Sequence, residues 1–191
     1  MFAIRIRQGR NREETGLQDD EKSDIVSTGR FKEAHRLANV DTGGQRNEIP
    51  LTEAQIENAK IFAESLGMPI EKIRYSNSIS TSYGAEFDVL VLGTDLYPVN
   101  NIKDIARSAN ADVSWKGAIG HEIVGHRDAA IKGWTQSIGY MEEAQASIRA
   151  ARFTPEITQA ERITLVKDAL SRLPDDVKLN DIRDKLLINE R

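Results

Sequence analysis

The sequence predicts an α+β fold in which a small β-sheet precedes a set of helices. Three observations carry that expectation. The run "EFDVLVLG" (86–93) is short, apolar and valine-rich, which suits a buried strand. The segment "KIRYSNSIS" just ahead of it reads as a second strand. From Val113 onward apolar residues recur at helical spacing, so the pattern is strands followed by helices and not alternating βαβ units.

Residues 7–30 are polar, rich in both charges and poor in apolar side chains, a composition that suits a disordered segment. The expected organisation is therefore a polar, partly disordered arm or junction over 1–47 and a folded domain over 48–191. The domain opens with a helix in "LTEAQIENAKIFAESLGMP". Thr52 and Gln55 form a capping-box pattern, Ile56, Ala59, Phe62, Ala63 and Leu66 make one apolar face, and Gly67 and Pro69 mark the stop. The two strands follow, with "YGAE" between them as a turn. Phe87 to Leu92 is so continuously apolar that burial on both faces, in a central strand, is expected.

A short helix is expected over 101–110 and a longer one from Val113 to about Ile131. "GW" at 133–134 interrupts, and the next helix runs from about Ile138 to Phe153. Thr154-Pro155 then opens a helix with Ile157, Ile163, Leu165, Val166, Ala169, Leu170 and Leu173 as its apolar positions. "VKLNDIRDKLLI" supplies a last one.

Composition narrows the function. A net charge of -4 argues against nucleic acid as an electrostatically attracted partner. No apolar run approaches the roughly 18–20 residues of a membrane span. The chain has no cysteine, so any metal must take nitrogen and oxygen ligands.

The stretch "GAIGHEIVGHRDAA" (117–130) holds two of the three histidines, His121 and His126, with Glu122 beside the first. In a regular helix residues five apart diverge by about 140°, whereas residues four apart differ by about 40°. The two imidazoles can share one metal only if the helix is widened by one residue, a π-bulge. Gly125 sits inside the extra turn, tolerates distortion and leaves room beside a metal.

Hydrolytic zinc sites use three protein ligands and keep one position for water. The third ligand here is His35 or a carboxylate, and "MEEAQAS" offers Glu142 and Glu143. Glu143 shares a helix side with Ala146, Ser147 and Ala150, small residues that let another helix approach, so it is the better ligand. Glu142 falls on another side, as a rim or supporting group, and His35 reads as an exposed histidine. Glu122 would then be the catalytic base. Tyr140 and Arg149 are the foremost oxyanion-stabilising candidates, with Tyr83, Tyr97 and Arg127 also open. Asp128 could orient a ligand histidine.

H-E-x-x-G-H followed by an E-E-x-x-A helix resembles the zinc site of dipeptidyl peptidase III. The resemblance implies zinc ligands at His121, His126 and Glu143 and a base at Glu122. Where that family has an acidic residue four positions after the ligand glutamate, this chain has Ser147. More widely, "FDVLVLGTDLYP", "GAIGHEIVGHRDA", "EEAQASIRAARFTP" and "ERITLVKDALSRL" resemble the zincin-like metallopeptidase domains that end bacterial polymorphic, Rhs-type toxins. That resemblance implies a zincin-like fold and a zinc-dependent peptidase secreted and delivered into a target cell. It also implies a protein substrate in the cytoplasm there and a cognate immunity protein. The alternatives are a non-catalytic, metal-stabilised binding module and a zinc hydrolase of a non-peptide amide.

Overall fold

The computed structural model describes residue 46 and residues 49–77, 80–98 and 109–191. The arm or junction expected over residues 1–47, apart from residue 46, lies outside the described residues, as do His35 and most of the helix expected over 101–110. Helix α1 (Glu53–Ser65) begins as expected: Gln55 N–H donates to Thr52 Oγ1, and Thr52 N–H donates to the Gln55 side chain. It ends before Gly67, whose φ of 93° is left-handed.

Strands β1 (Ile73–Tyr75), β2 (Ser82–Gly84) and β3 (Val89–Leu92) form one sheet in the order β1-β3-β2. β1 is parallel to β3 and β2 antiparallel to it. β3 is thus the central strand, as its apolar character suggests, but two local expectations are corrected. Tyr83 and Gly84 belong to β2 and not to a turn; the turn is formed by residues 85–88, with Asp88 at φ 50°. Phe87 lies in that turn and is 68% exposed. Leu90 and Leu92 are buried, while Val89 and Val91 are half-buried, so the strand alternates where two fully buried faces were expected. A three-stranded sheet with helices on one side can bury only one face.

The motif helix, α2, is three successive stretches: α-helical Trp115–Gly120, π-helical His121–Arg127 and α-helical Asp128–Lys132. Ser114 caps it by accepting from Gly117 N–H, and Gly133, at φ 68°, closes it. Helix α3 (Gly139–Phe153) returns beside it, and α4 (Gln159–Ser171) packs on α3. Thr154-Pro155 does not open α4. Thr154 N–H donates to Ala150 O and so finishes α3, whereas α4 starts at a capping box made by Thr158 and Glu161. That T-x-x-E pattern is present in the sequence, but the Thr-Pro dipeptide ahead of it is the more conspicuous signal. Ile163, Val166 and Leu170 are exposed on α4, while Leu165 and Ala169 face inward. The last helix shortens to α5 (Leu179–Ile182) and one 3-10 turn, Arg183–Lys185.

One apolar cluster joins α1, the sheet and α2 through Phe62, Leu90, Leu92, Ile119, Ile123 and Val124. A second joins α3, α4 and the C-terminal segment through Met141, Ile148, Ala169 and Leu186. The motif helix therefore sits between a sheet and a helical layer, held from both sides. Arg46 is buried, and its guanidinium donates to the carbonyls of Asp95, Leu96, Asn110 and Val113. It fixes the segments leading into α2. No helix among the described residues is long and apolar enough to cross a membrane.

Candidate metal centre

The π-helical stretch solves the spacing problem that the sequence poses. Asp128 N–H donates to Ile123 O, five residues back, which marks the widened turn. His121 and His126 consequently emerge on the same side, with ring centroids 4.7 Å apart and ring planes at 79°. Their Nε2 atoms are 3.0 Å apart. Glu143 reaches this point from α3, with one oxygen 3.3 Å from His121 Nε2 and the other 3.6 Å from His126 Nε2. The three residues form a group that could hold a metal ion.

Gly125 is needed for a reason that the sequence does not disclose. A Cβ there would lie 2.7 Å from both the Cβ and the carbonyl oxygen of Ala146. The glycine lets α3 approach the widened turn closely enough for Glu143 to reach the histidines. The small residue on α3 plays the complementary part.

The outer ring nitrogens are also engaged. His126 Nδ1 lies 3.2 Å from Glu142 Oε1, and the other Glu142 oxygen accepts from Gln136 N–H. Glu142 thus contacts the outer nitrogen of His126 and is not in the group of His121, His126 and Glu143. His121 Nδ1 lies 2.9 Å from Ser147 Oγ, and Ser147 donates to Asp168 Oδ2 at 2.7 Å. Ser147 and Glu142 thus take the place considered for Asp128. Arg172, the C-cap residue of α4, reaches Glu143 Oε2 at 2.8 Å and Asp168 Oδ1 at 3.3 Å.

The electrostatics follow from this crowding. Burial disfavours charge on His126, but Glu142, Glu122 and Glu143 outweigh it and raise its pKa to about 9. Burial likewise opposes a charged Glu143, yet the hydrogen bond from His121, the two histidines and Arg172 bring its pKa down to about 2. Glu122 behaves differently. Its pKa is raised, chiefly by burial, against the pull of the two histidines. Its Oε2 accepts the Tyr83 N–H at 2.8 Å, which ties it to the edge strand β2.

These groups line one cleft of about 430 Å³. Its walls include Tyr83 and Thr81 from the sheet side and Asp168, Arg172 and Leu165 from α4. Tyr140 and Arg149 are not among the described residues that line it. Tyr140 packs against the helical cluster. Arg149 is buried away from the cleft, donating to the carbonyls of Val124, Leu187 and Glu190. Arg127 is likewise engaged, with Asp88 and Gly67 O, and Tyr97 stacks on Trp115.

Sequence reasoning missed Ser147, Asp168 and Arg172 as parts of the site. Their i, i+4 spacings, Glu143 with Ser147 and Asp168 with Arg172, place each pair on one helix face. Nothing local says that the two faces meet. Compared with known proteins, the chain matches no family model, no curated protein and no solved structure.

Proposed function

We propose that this chain is a zinc-dependent metallopeptidase of zincin-like architecture. The observation that carries the reading is the convergence of His121 Nε2, His126 Nε2 and the Glu143 carboxylate across a widened turn. A tetrahedral zinc with bonds of about 2.0–2.1 Å sets its ligands about 3.3–3.4 Å apart. The two Nε2 atoms are 3.0 Å apart, and the Glu143 carboxylate brings one oxygen to 3.3 Å from His121 Nε2 and the other to 3.6 Å from His126 Nε2, close to that spacing. The donor set, two imidazoles and one carboxylate, is one that zinc accepts.

Among the described residues no fourth protein ligand joins the group. That favours an open, hydrolytic site over the closed site of a metal-stabilised binding module. When bound, zinc supplies an acidified water and a Lewis acid for the scissile carbonyl. Glu122, next to a ligand histidine and bordering the same cleft, receives a proton and later gives it to the leaving amine. Its raised pKa suits a group that must both take and return a proton. The Tyr83 N–H bond fixes the carboxylate in place. β2 lies at the sheet edge beside α2, and an extended peptide could pair there.

The delivered-toxin reading rests on the resemblance of four sequence segments, quoted above, to Rhs-type toxin domains. It proposes a secreted bacterial effector that cleaves a target-cell protein and is neutralised by a cognate immunity protein. One comparison tests both levels: N-terminal profiling of cells expressing wild type against Glu122→Gln. The expected result is growth arrest and new protein termini with wild type only, while the purified variant keeps stoichiometric zinc. A variant that remains toxic and proteolytic overturns the assignment.

A further inference from the structure

Asp168 and Ser147 have no role in the reaction just described, yet both are buried, at 1% and 0% exposure. A carboxylate placed so deep is costly unless it is bonded, and its partners point toward the metal centre. Its shorter bond is to Ser147 Oγ at 2.7 Å; Arg172 Nε stands further off, at 3.3 Å.

Proton counting settles the direction of the chain. A serine hydroxyl has one hydrogen to give. Ser147 gives that hydrogen to Asp168 Oδ2, at 2.7 Å. The 2.9 Å contact with His121 must then run the other way, with Nδ1–H donating to Ser147 Oγ. With Nδ1–H committed to Ser147, Nε2 is the nitrogen at which a metal could take the place of a proton, and it is the atom that faces His126 and Glu143.

We propose that Asp168 is a positioning residue for the metal centre: acting through the Ser147 hydroxyl, it holds His121 in the Nδ1–H tautomer and in the ring orientation that presents Nε2 to the ion. The inference rests on the metal-binding reading. It assigns to α4, a helix that supplies no ligand, control over how well the site takes up metal. Two facing i, i+4 pairs build the control, Glu143 and Ser147 on α3 against Asp168 on α4 and Arg172 at its C-cap. Arg172 holds the ligand glutamate from the same helix that orients the histidine.

The test uses the full chain and zinc alone, with affinity measured by competition against a chromophoric chelator. It also uses ¹⁵N shifts of the His121 ring in metal-free protein. Ser147→Ala, which removes one buried oxygen, is expected to weaken zinc about tenfold or more, within the 10–100-fold range of such supporting contacts. The ring is expected to shift from Nδ1–H toward Nε2–H. Asp168→Asn is expected to weaken zinc to a similar extent. The double variant should bind within about threefold of the weaker single one, because the two residues act in series. Wild-type affinity in Ser147→Ala, or an unchanged tautomer, overturns the proposal even if Asp168→Asn fails to fold. Multiplying losses in the double variant overturn the serial arrangement. Wild type that binds no zinc overturns the metal reading itself, a distinct outcome.

Discussion

The two histidines of α2 offer the same atom to the same point, but the fold supports them by different means. His126 leans on Glu142, from the first turn of α3, a half-buried carboxylate in direct contact with its Nδ1. His121 leans on a buried hydroxyl that is itself held by a carboxylate from α4. The first support comes from the helix that also supplies Glu143, the third member of the group. The second requires α2, α3 and α4 to be docked together. The His121 side of the site thus reports on tertiary packing, whereas the His126 side is closer to a local ion pair.

The largest effect should come from removing what both supports share, the close approach of α3 to the widened turn. Gly125→Ala puts a methyl group against the backbone of Ala146, which α3 can relieve only by moving away. A destabilisation of about 1–3 kcal/mol is expected from overpacking of this kind, together with loss of metal. Urea unfolding and a zinc titration measure the two. Near-normal zinc affinity in this variant would show that the ligands do not depend on this approach.

A smaller effect separates the two sides. Glu142→Ala removes the partner of His126 and leaves the Ser147–Asp168 arm untouched. Zinc affinity should fall about 10-fold, at the lower end for supporting contacts, with little change in the His121 ring. Equal disturbance of both rings by ¹⁵N shifts would mean that the supports are not separable.

pH offers a third cut. In the metal-free protein His126 titrates at about 9, above its ordinary value of 6.5. Its contribution to stability is therefore fully present below about pH 6.5 and lost as pH rises through about 9. Glu143, brought down to about 2 from 4.5, contributes above about pH 4.5 and loses that contribution as pH falls toward 2. Bound metal replaces the His126 proton, so the decline between pH 6.5 and 9 should vanish in zinc-loaded protein. Unfolding curves across that window, with and without zinc, check it. A decline of the same size in both would remove His126 from the ligand set.

The widened turn was legible because two histidines five apart can share a metal in no regular helix. Glu143 was separable from Glu142 because the small residues Ala146 and Ser147 mark the side of α3 that another helix approaches. Both inferences need only one helix at a time. The Ser147–Asp168 link spans 21 residues and two helices, and no periodicity within either helix encodes that meeting. β2 escaped for a similar reason. Ser82–Gly84 is three residues long, and its strand character comes from pairing with β3 and not from its own composition. Phe87 misled in the other direction: next to an apolar run it looks like core, but the left-handed Asp88 places it in the turn.

The smallest predicted effect is the control that keeps the two supports distinct. Asp128 follows His126 closely in sequence and carries the charge that could orient a ligand, so sequence alone makes it a candidate. In the fold the outer nitrogens of both histidines already have partners, Glu142 and Ser147. The Asp128 carboxylate instead acts electrostatically on Arg127 and Arg149. Asp128→Asn should therefore leave zinc affinity within about twofold of wild type and stability within about 0.5 kcal/mol. A loss as large as that of Glu142→Ala would mean that charge near α2, and not the bonded contact to His126 Nδ1, sets affinity on that side. The contrast between a bonded carboxylate and one that merely lies close is what makes the His126 support a geometric statement.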